Sequence, residues 1–260
     1  MDRPRLSAAI TWPRYERAVL AVFNQALRRL ALLERLPVAE EPLNLELFWL
    51  AMQVHQELLN SAEGSYPFII DPDSTNQPEP DDSARSKRLK KRPDFKCILK
   101  NEQASDFRYS QVTYYLECKR LGANDGELLF NEFYSEHGIH RFVHIEWGYG
   151  KGCASASMVG YLQNMEPETI LSEVNAHATA RKLPSLRRAV ASWMPRDVTE
   201  LSQPPLLRSF EPTQIQLNHF WIDLRHCRLD LPSDHRAQSA APPKTAAKQL
   251  RSKRPVNCTP

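Results

Sequence analysis

The sequence predicts an α/β protein with N-terminal helices. Two long segments near the start repeat apolar residues at helical spacing. Several short segments from Tyr66 onward are rich in β-favouring residues. Further helical segments fall between those strands rather than after them.

The elements follow in order. From Tyr15 to Leu36, Val19, Phe23, Ala26, Leu27 and Leu30 share one helical face, Arg17, Arg28 and Arg29 lie elsewhere, and Pro13 suits a helix start. A second helix is expected from Leu43 to Leu59, with Leu47, Leu50, Ala51, Val54 and Leu58 as its buried stripe, packed on the first as a hairpin. Ser65 to Asp71 predicts a strand that Pro67 places at a sheet edge. Residues 72–91 turn polar, Pro-rich and charged, and read as a long surface loop. Pro93 to Lys100 and Gln111 to Arg120 predict two strands joined as an antiparallel hairpin, the second carrying Val112, Thr113, Tyr114 and Tyr115. Gly126 to His137 is expected to be helical, anchored by Leu128, Leu129 and Phe133. Arg141 to Trp147 and Ser157 to Leu162 predict two more strands around the glycine-rich turn Gly148–Gly152. Glu166 to Lys182 repeats Ile170, Leu171, Val174 and Ala178 at helical spacing, and Ile215 to Leu224 is a last strand.

With 260 residues, this organisation reads as an N-terminal helix over 1–40, a main domain over 41–230 and a disordered basic tail over 231–260. The net charge of +3 does not by itself mark a nucleic-acid binder. The distribution is more informative: Arg85, Lys87, Arg88, Lys90, Lys91 and Arg92 form one basic run, and the tail carries another without acidic residues. Either run read alone is a solvated segment. Five cysteines, an odd number with no CxxC spacing, speak against a disulfide framework or a zinc ribbon and suit reduced cytoplasmic thiols. No signal-peptide core and no apolar run of about 20 residues stands in the chain, so no membrane role is expected.

The chemistry concentrates in Arg92-Pro93-Asp94-Phe95 and Leu116-Glu117-Cys118-Lys119-Arg120. Residues two apart on a strand point the same way, so Glu117 and Lys119 share a face while Leu116 and Cys118 share the other. If the two strands pair, Asp94, Glu117 and Lys119 converge on a polar face, and Phe95, Cys97, Leu116 and Cys118 form the apolar one. Two hard carboxylates suit Mg²⁺ (or Mn²⁺), which acidifies bound water and polarises phosphate oxygen. A neighbouring Lys can orient that water or offset charge in the transition state. The backbone carbonyl of Cys118, between the two, is a further candidate metal ligand. The competing reading makes Glu117 and Lys119 an exposed strand ion pair, worth about 0–1 kcal/mol.

In these residues the chain resembles the PD-(D/E)XK nuclease superfamily, which includes restriction-endonuclease-like proteins: Pro93-Asp94 matches the first half of the motif and Glu117-Cys118-Lys119 the second. The resemblance implies a restriction-endonuclease-like mixed sheet flanked by helices, metal-holding roles for Asp94 and Glu117, and a catalytic role for Lys119. It also implies an additional Glu on a preceding helix, for which Glu57 and Glu46 are candidates. Asn131, Tyr134, Gly138-Ile139, Arg141-Phe142, Met158–Tyr161 and Leu217–Asp223 are similar to blocks in bacterial restriction-like proteins, some of them associated with defence against phage. The expected activity is Mg²⁺-dependent cleavage of nucleic acid, DNA ahead of RNA, by a homodimer or with a partner protein. The alternatives are a silent nuclease fold that binds nucleic acid or assembles with other proteins, and a nuclease that cuts only with a partner.

Other features stand beside this site. Arg120, Arg141 and Lys151 are candidates for phosphate contact, with surface solvation or ion pairing as the plainer roles. Tyr149 and Trp147 are candidates for base stacking, with core packing preferred for Trp147. The glycine turn lacks the GxxxxGK[ST] spacing of a phosphate loop. His137, His140 and His144 match no zinc spacing, and His219 is expected to be a satisfied structural histidine.

Overall fold

The first apolar repeat folds as α1 (Trp12–Ala31), with Pro13 in its first turn and Arg28 and Arg29 in its last, where cations suit the helix dipole. Its buried stripe is Tyr15, Val19, Val22, Phe23, Ala26, Leu27 and Leu30. The helix stops five residues before the predicted Leu36, because Arg35–Pro37 form β1 and bury Leu36 in a parallel pairing with β10 (Arg228–Asp230). The second helix, α2 (Glu40–Leu59), starts earlier than predicted, with Glu40 and Glu41 in its first turn, and buries Leu43, Leu47, Ala51, Val54 and His55. The computed structural model describes residues 11–61, 67–72, 91–101, 106, 110–124, 126 and 129–230. The predicted tail over 231–260 and most of the predicted polar loop, 73–90, lie outside the described residues.

A mixed eight-stranded sheet organises the chain. Its order is β2 (Ile69–Pro72), β3 (Phe95–Lys100), β4 (Gln111–Leu121), β5 (Ser155–Leu162), β9 (Gln214–Asp223), β7 (Val198–Ser202) and β6 (Arg187–Arg188), with β8 (Leu206–Leu207) paired to β9 off this path. β2, β3 and β4 run antiparallel in sequence, while β4, β5 and β9 are mutually parallel. β2 stands at the edge, as Pro67 predicts. All eight residues of β5 are buried, the pattern of a parallel strand covered on both faces. Gly160 on β5 is dictated by packing: a Cβ there would lie 2.4 Å from Leu121 and 2.7 Å from Trp221.

Strand alternation divides the core in two. Phe95, Cys97, Tyr114, Leu116, Cys118, Val159, Tyr161, Phe220 and Ile222 pack with α1 and α2 on one face. The T-shaped contact of Phe23 with Phe95, centroids 5.5 Å apart, joins α1 directly to β3. The N-terminal helix is therefore part of the main core. The opposite face carries Leu121, Met158, Leu162, Leu217 and Trp221 under α3 (Phe130–Glu136) and α4 (Pro167–Ala180). Cys97, Cys118, Cys153 and Cys227 are free and buried, and Cys258 lies outside the described residues.

Two sequence expectations fail on this second face. The predicted helix over Gly126–His137 shortens to α3: Leu129 is exposed and outside the helix, Phe133 is half-buried, and Phe130 and Tyr134 are its buried anchors instead. Leu128 lies outside the described residues. The predicted strand Arg141–Trp147 is instead a 3₁₀ turn, Ile139–Phe142, followed by further turns. Local bonds explain it: Arg141 N–H donates to Gly138 O and Val143 N–H to His140 O, consuming groups a strand would offer sideways. The unassigned stretch after Pro184 contains β6, β7 and β8.

Candidate active site

The site is built by the β3–β4 hairpin. Its register pairs Phe95 with Leu116, so Asp94, one residue ahead of β3, lies across from Glu117. The Cys118 backbone N–H donates to Asp94 Oδ2 at 2.7 Å and holds that carboxylate against β4. Lys119 Nζ lies 3.0 Å from Glu117 Oε1 and 3.8 Å from Asp94 Oδ2. The three residues that the sequence pattern groups are thus together, with Glu117 and Lys119 both buried.

A fourth residue joins them that the sequence pattern does not mark. Glu40, the first residue of α2, accepts from Lys119 Nζ at 2.7 Å through Oε1 and from the Arg120 N–H at 3.3 Å through Oε2. The resemblance implies a helical glutamate, but both candidates for it are displaced. Glu57 is exposed near the far end of α2, bound to Arg29 of α1 by a fork whose Nη1–Oε1 arm is 2.9 Å, and Glu46 is exposed. The signal for Glu40 is the Glu40-Glu41 pair at the helix start, where acidic residues suit the dipole.

Arg141, on the 3₁₀ turn, reaches Glu117 Oε1 with its Nη1, and its guanidinium lies 4.2 Å from the Trp147 ring centroid. Lys91 Nζ stands 3.5 Å from the same ring. Arg120 packs on Phe130 at 4.3 Å, and Lys151 sits half-buried in the glycine turn before β5. Of the three cations expected at phosphate, Arg141 is therefore the one bonded to a site carboxylate. The Cys118 carbonyl, expected as a metal ligand, accepts Lys119 Nζ at 2.6 Å. His219 is buried and fully partnered: Nε2 donates to Gln203 Oε1 at 3.1 Å and Nδ1 accepts from the Tyr134 hydroxyl at 2.9 Å.

Burial acts on Asp94, Glu117 and Lys119. Desolvation, then the charge of Glu117, raises the pKa of Asp94 to about 8, against the pull of Lys119. Desolvation also raises Glu117, although Lys119 and Arg141 draw it down. For Lys119 burial opposes the charged form, but Glu117, Asp94 and Glu40 outweigh it, so its pKa lies above the ordinary lysine value and it is an ammonium donor at neutral pH. The carboxylates are short of positive charge.

Glu117 Oε2 is buried with no hydrogen-bond partner, while Oε1 receives both Lys119 and Arg141. An unpartnered carboxylate oxygen costs about 1–3 kcal/mol and is uncommon in folded proteins. Asp94 and that oxygen are hard donors of the kind Mg²⁺ or Mn²⁺ takes. Among the described residues no group of three or more His, Cys, Asp or Glu forms a ready-made metal cage. A two-carboxylate pair still suits a cation that keeps several waters. No family, curated protein or solved structure matches the chain. Among the described residues no helix is long and apolar enough to cross a membrane.

Proposed function

We propose that this chain is a divalent-metal-dependent nuclease of restriction-endonuclease-like fold that hydrolyses phosphodiester bonds, with DNA ahead of RNA as substrate. The observation that carries this reading is the buried Glu117 Oε2, unpartnered beside Asp94 and Lys119 at one end of the hairpin. A cation bound there would complete that oxygen. The mixed sheet supports the fold assignment, because its β3–β4 hairpin carries the Asp and the Glu-x-Lys on strands that meet.

Asp94 and Glu117 would hold Mg²⁺ or Mn²⁺, which when bound supplies Lewis acidity and a water of lowered pKa. Lys119 donates hydrogen bonds; held as an ammonium by three carboxylates, it orients a water or offsets negative charge on phosphoryl oxygen and does not remove a proton. Glu40 fixes the reach of Lys119 through its 2.7 Å contact. Cys118 N–H fixes Asp94, and the apolar face beneath, Leu116 and Cys118, keeps the hairpin register that places all of them.

The test is cleavage of linear, supercoiled and single-stranded DNA and of RNA, with Mg²⁺, Mn²⁺ or EDTA. Wild type should cut with metal and not with EDTA, and Asp94→Ala and Lys119→Ala should lose about 10²–10³-fold or more. Equal cutting by the variants would sink the site. A second reading rests on the saturation of Lys119 by Glu117, Glu40 and the Cys118 carbonyl: a silent nuclease fold that binds nucleic acid or a partner, or one that a partner activates. Metal-independent nucleic-acid binding without cleavage would favour it.

A further inference from the structure

Six buried side-chain polar atoms among the described residues have no hydrogen-bond partner, and three belong to one wall of the site: Glu117 Oε2, Arg141 Nε and the Tyr149 hydroxyl. Their closeness shows in the contacts between them. Arg141 binds Glu117, its guanidinium lies 5.9 Å from the Tyr149 ring centroid, and Tyr149 N–H donates to the Arg141 carbonyl at 3.3 Å. The charges of Glu117, Arg141, Asp94 and Lys119 all act on the Tyr149 hydroxyl, whose pKa burial raises, so it stays a donor.

The three atoms ask for complementary things. Glu117 Oε2 is an acceptor without a cation or donor, while Arg141 Nε and Tyr149 are donors without an acceptor. A divalent cation on the carboxylate and an anionic oxygen on the donors satisfy all three together. A phosphodiester contributes such oxygens, and guanidinium and phenol hydroxyl groups are among the side chains that bind them. Trp147 adds a wall on which two cations already sit, Arg141 at 4.2 Å and Lys91 at 3.5 Å. Lys91 belongs to the basic run Arg85, Lys87, Arg88, Lys90, Lys91 and Arg92 in sequence.

Arg141 is the element that has to change partners. Its guanidinium occupies the same Glu117 oxygen as Lys119, a place where a bound cation would meet a positive charge at contact distance. Its backbone is held in the 3₁₀ turn at both polar groups, the N–H donating to Gly138 O at 3.0 Å and the carbonyl accepting from Tyr149 N–H at 3.3 Å. Only the side chain is therefore free to move.

We infer that Arg141 stands in for the divalent cation at Glu117 in the cation-free protein and, displaced by that cation, turns with Tyr149 to bind a phosphoryl oxygen of the nucleic acid. This rests on the nuclease reading above, with Arg141 as a positioning residue before the exchange and a substrate-binding residue after it.

The test uses binding rather than turnover. Mn²⁺ binding is followed by electron paramagnetic resonance, and binding of a fluorescent DNA oligonucleotide by anisotropy with Ca²⁺ in place of Mg²⁺. The full chain is compared with Arg141→Ala, Arg141→Lys, Tyr149→Phe and Glu117→Gln, each checked for folding by circular dichroism. Arg141→Ala should bind Mn²⁺ about tenfold tighter, because a competing charge is gone, and the oligonucleotide about tenfold weaker. Arg141→Lys should recover part of the oligonucleotide affinity. Tyr149→Phe should weaken the oligonucleotide alone. Should Arg141→Ala not fold, Arg141→Gln, which keeps the volume and a donor, takes its place with the same expected signs. A merely structural arginine would weaken both ligands together. Unchanged or weaker Mn²⁺ binding in the Arg141 variant, or unchanged oligonucleotide binding, overturns the exchange while leaving the metal site standing. Wild type that binds no Mn²⁺, or Glu117→Gln that binds it like wild type, overturns the nuclease reading and the exchange together.

Discussion

Glu117 and His219 are both buried polar residues on the same face of the sheet, on strands separated only by β5. They are satisfied differently. His219 uses both ring nitrogens, one on Tyr134 and one on Gln203, and burial pushes its pKa down to about 3, so it is neutral and complete. Glu117 has one oxygen with two cationic partners and one with none. A group that only supports the fold tends toward full pairing, because each unpaired buried atom costs stability. Under the proposed function, the incomplete oxygen of Glu117 is the one a bound cation would complete. That contrast, rather than burial alone, sets the proposed site apart from His219.

The largest expected effect breaks the comparison at Glu117. Glu117→Gln should lower cleavage by about 10²–10³-fold, since the metal-holding charge is removed, yet thermal unfolding without metal should occur no lower than in wild type. A variant that melts well below wild type and still cuts would reverse the two roles.

The next effect sits at His219. His219→Ala should cost about 2–4 kcal/mol of unfolding free energy, from the cavity and from stranding Tyr134 and Gln203, with Mn²⁺ affinity unchanged. Acidity sharpens the same contrast. The unfolded chain protonates this histidine below about 6.5 and the folded chain does not, so His219 draws stability away as pH falls from about 6.5 toward 3. Asp94 runs the other way: its folded pKa of about 8 exceeds the unfolded value, so without metal its contribution declines as pH rises from about 4 to 8. Denaturant titrations across pH should show His219→Gln flattening the limb that falls below about pH 6.5 and Asp94→Asn the limb that declines between about 4 and 8. Limbs unchanged in both variants would refute the assignment.

The smallest effect compares two glutamates of one helix. Glu40→Gln should slow cleavage by about tenfold, as expected for a residue that orients a catalytic side chain. Glu57→Gln should leave cleavage unchanged and the melting temperature close to that of wild type, because its pairing with Arg29 is exposed and screened by solvent. A slower Glu57 variant would restore the role that the family resemblance suggests for it.

Much of this is legible in the amino-acid sequence. The period of two along Leu116–Lys119 separates the polar from the apolar face, and the helical repeats mark the buried stripe of α1 and most of those of α2 and α4, where Leu50, Leu58 and Leu171 are only half-buried. The failures share a cause. Arg141–Trp147 reads as a strand because its composition allows one, but its backbone groups are consumed by local turns. Glu57 ranks ahead of Glu40 when nearness along the chain is the guide, whereas α2 brings its first turn, not its last, to Lys119.

What the sequence determined by itself, then, is the long helices, the β3–β4 hairpin strands and the facing of side chains within each, because these follow from local periodicity and backbone sterics. The tertiary structure alone decided which strands are neighbours, which turn of α2 meets Lys119, and that Arg141 closes on Glu117. Those contacts join residues far apart in sequence: the Lys119–Glu40 bond alone spans 79 positions. They are fixed by how whole layers pack and by where buried charge can find a counterion, which no local pattern encodes.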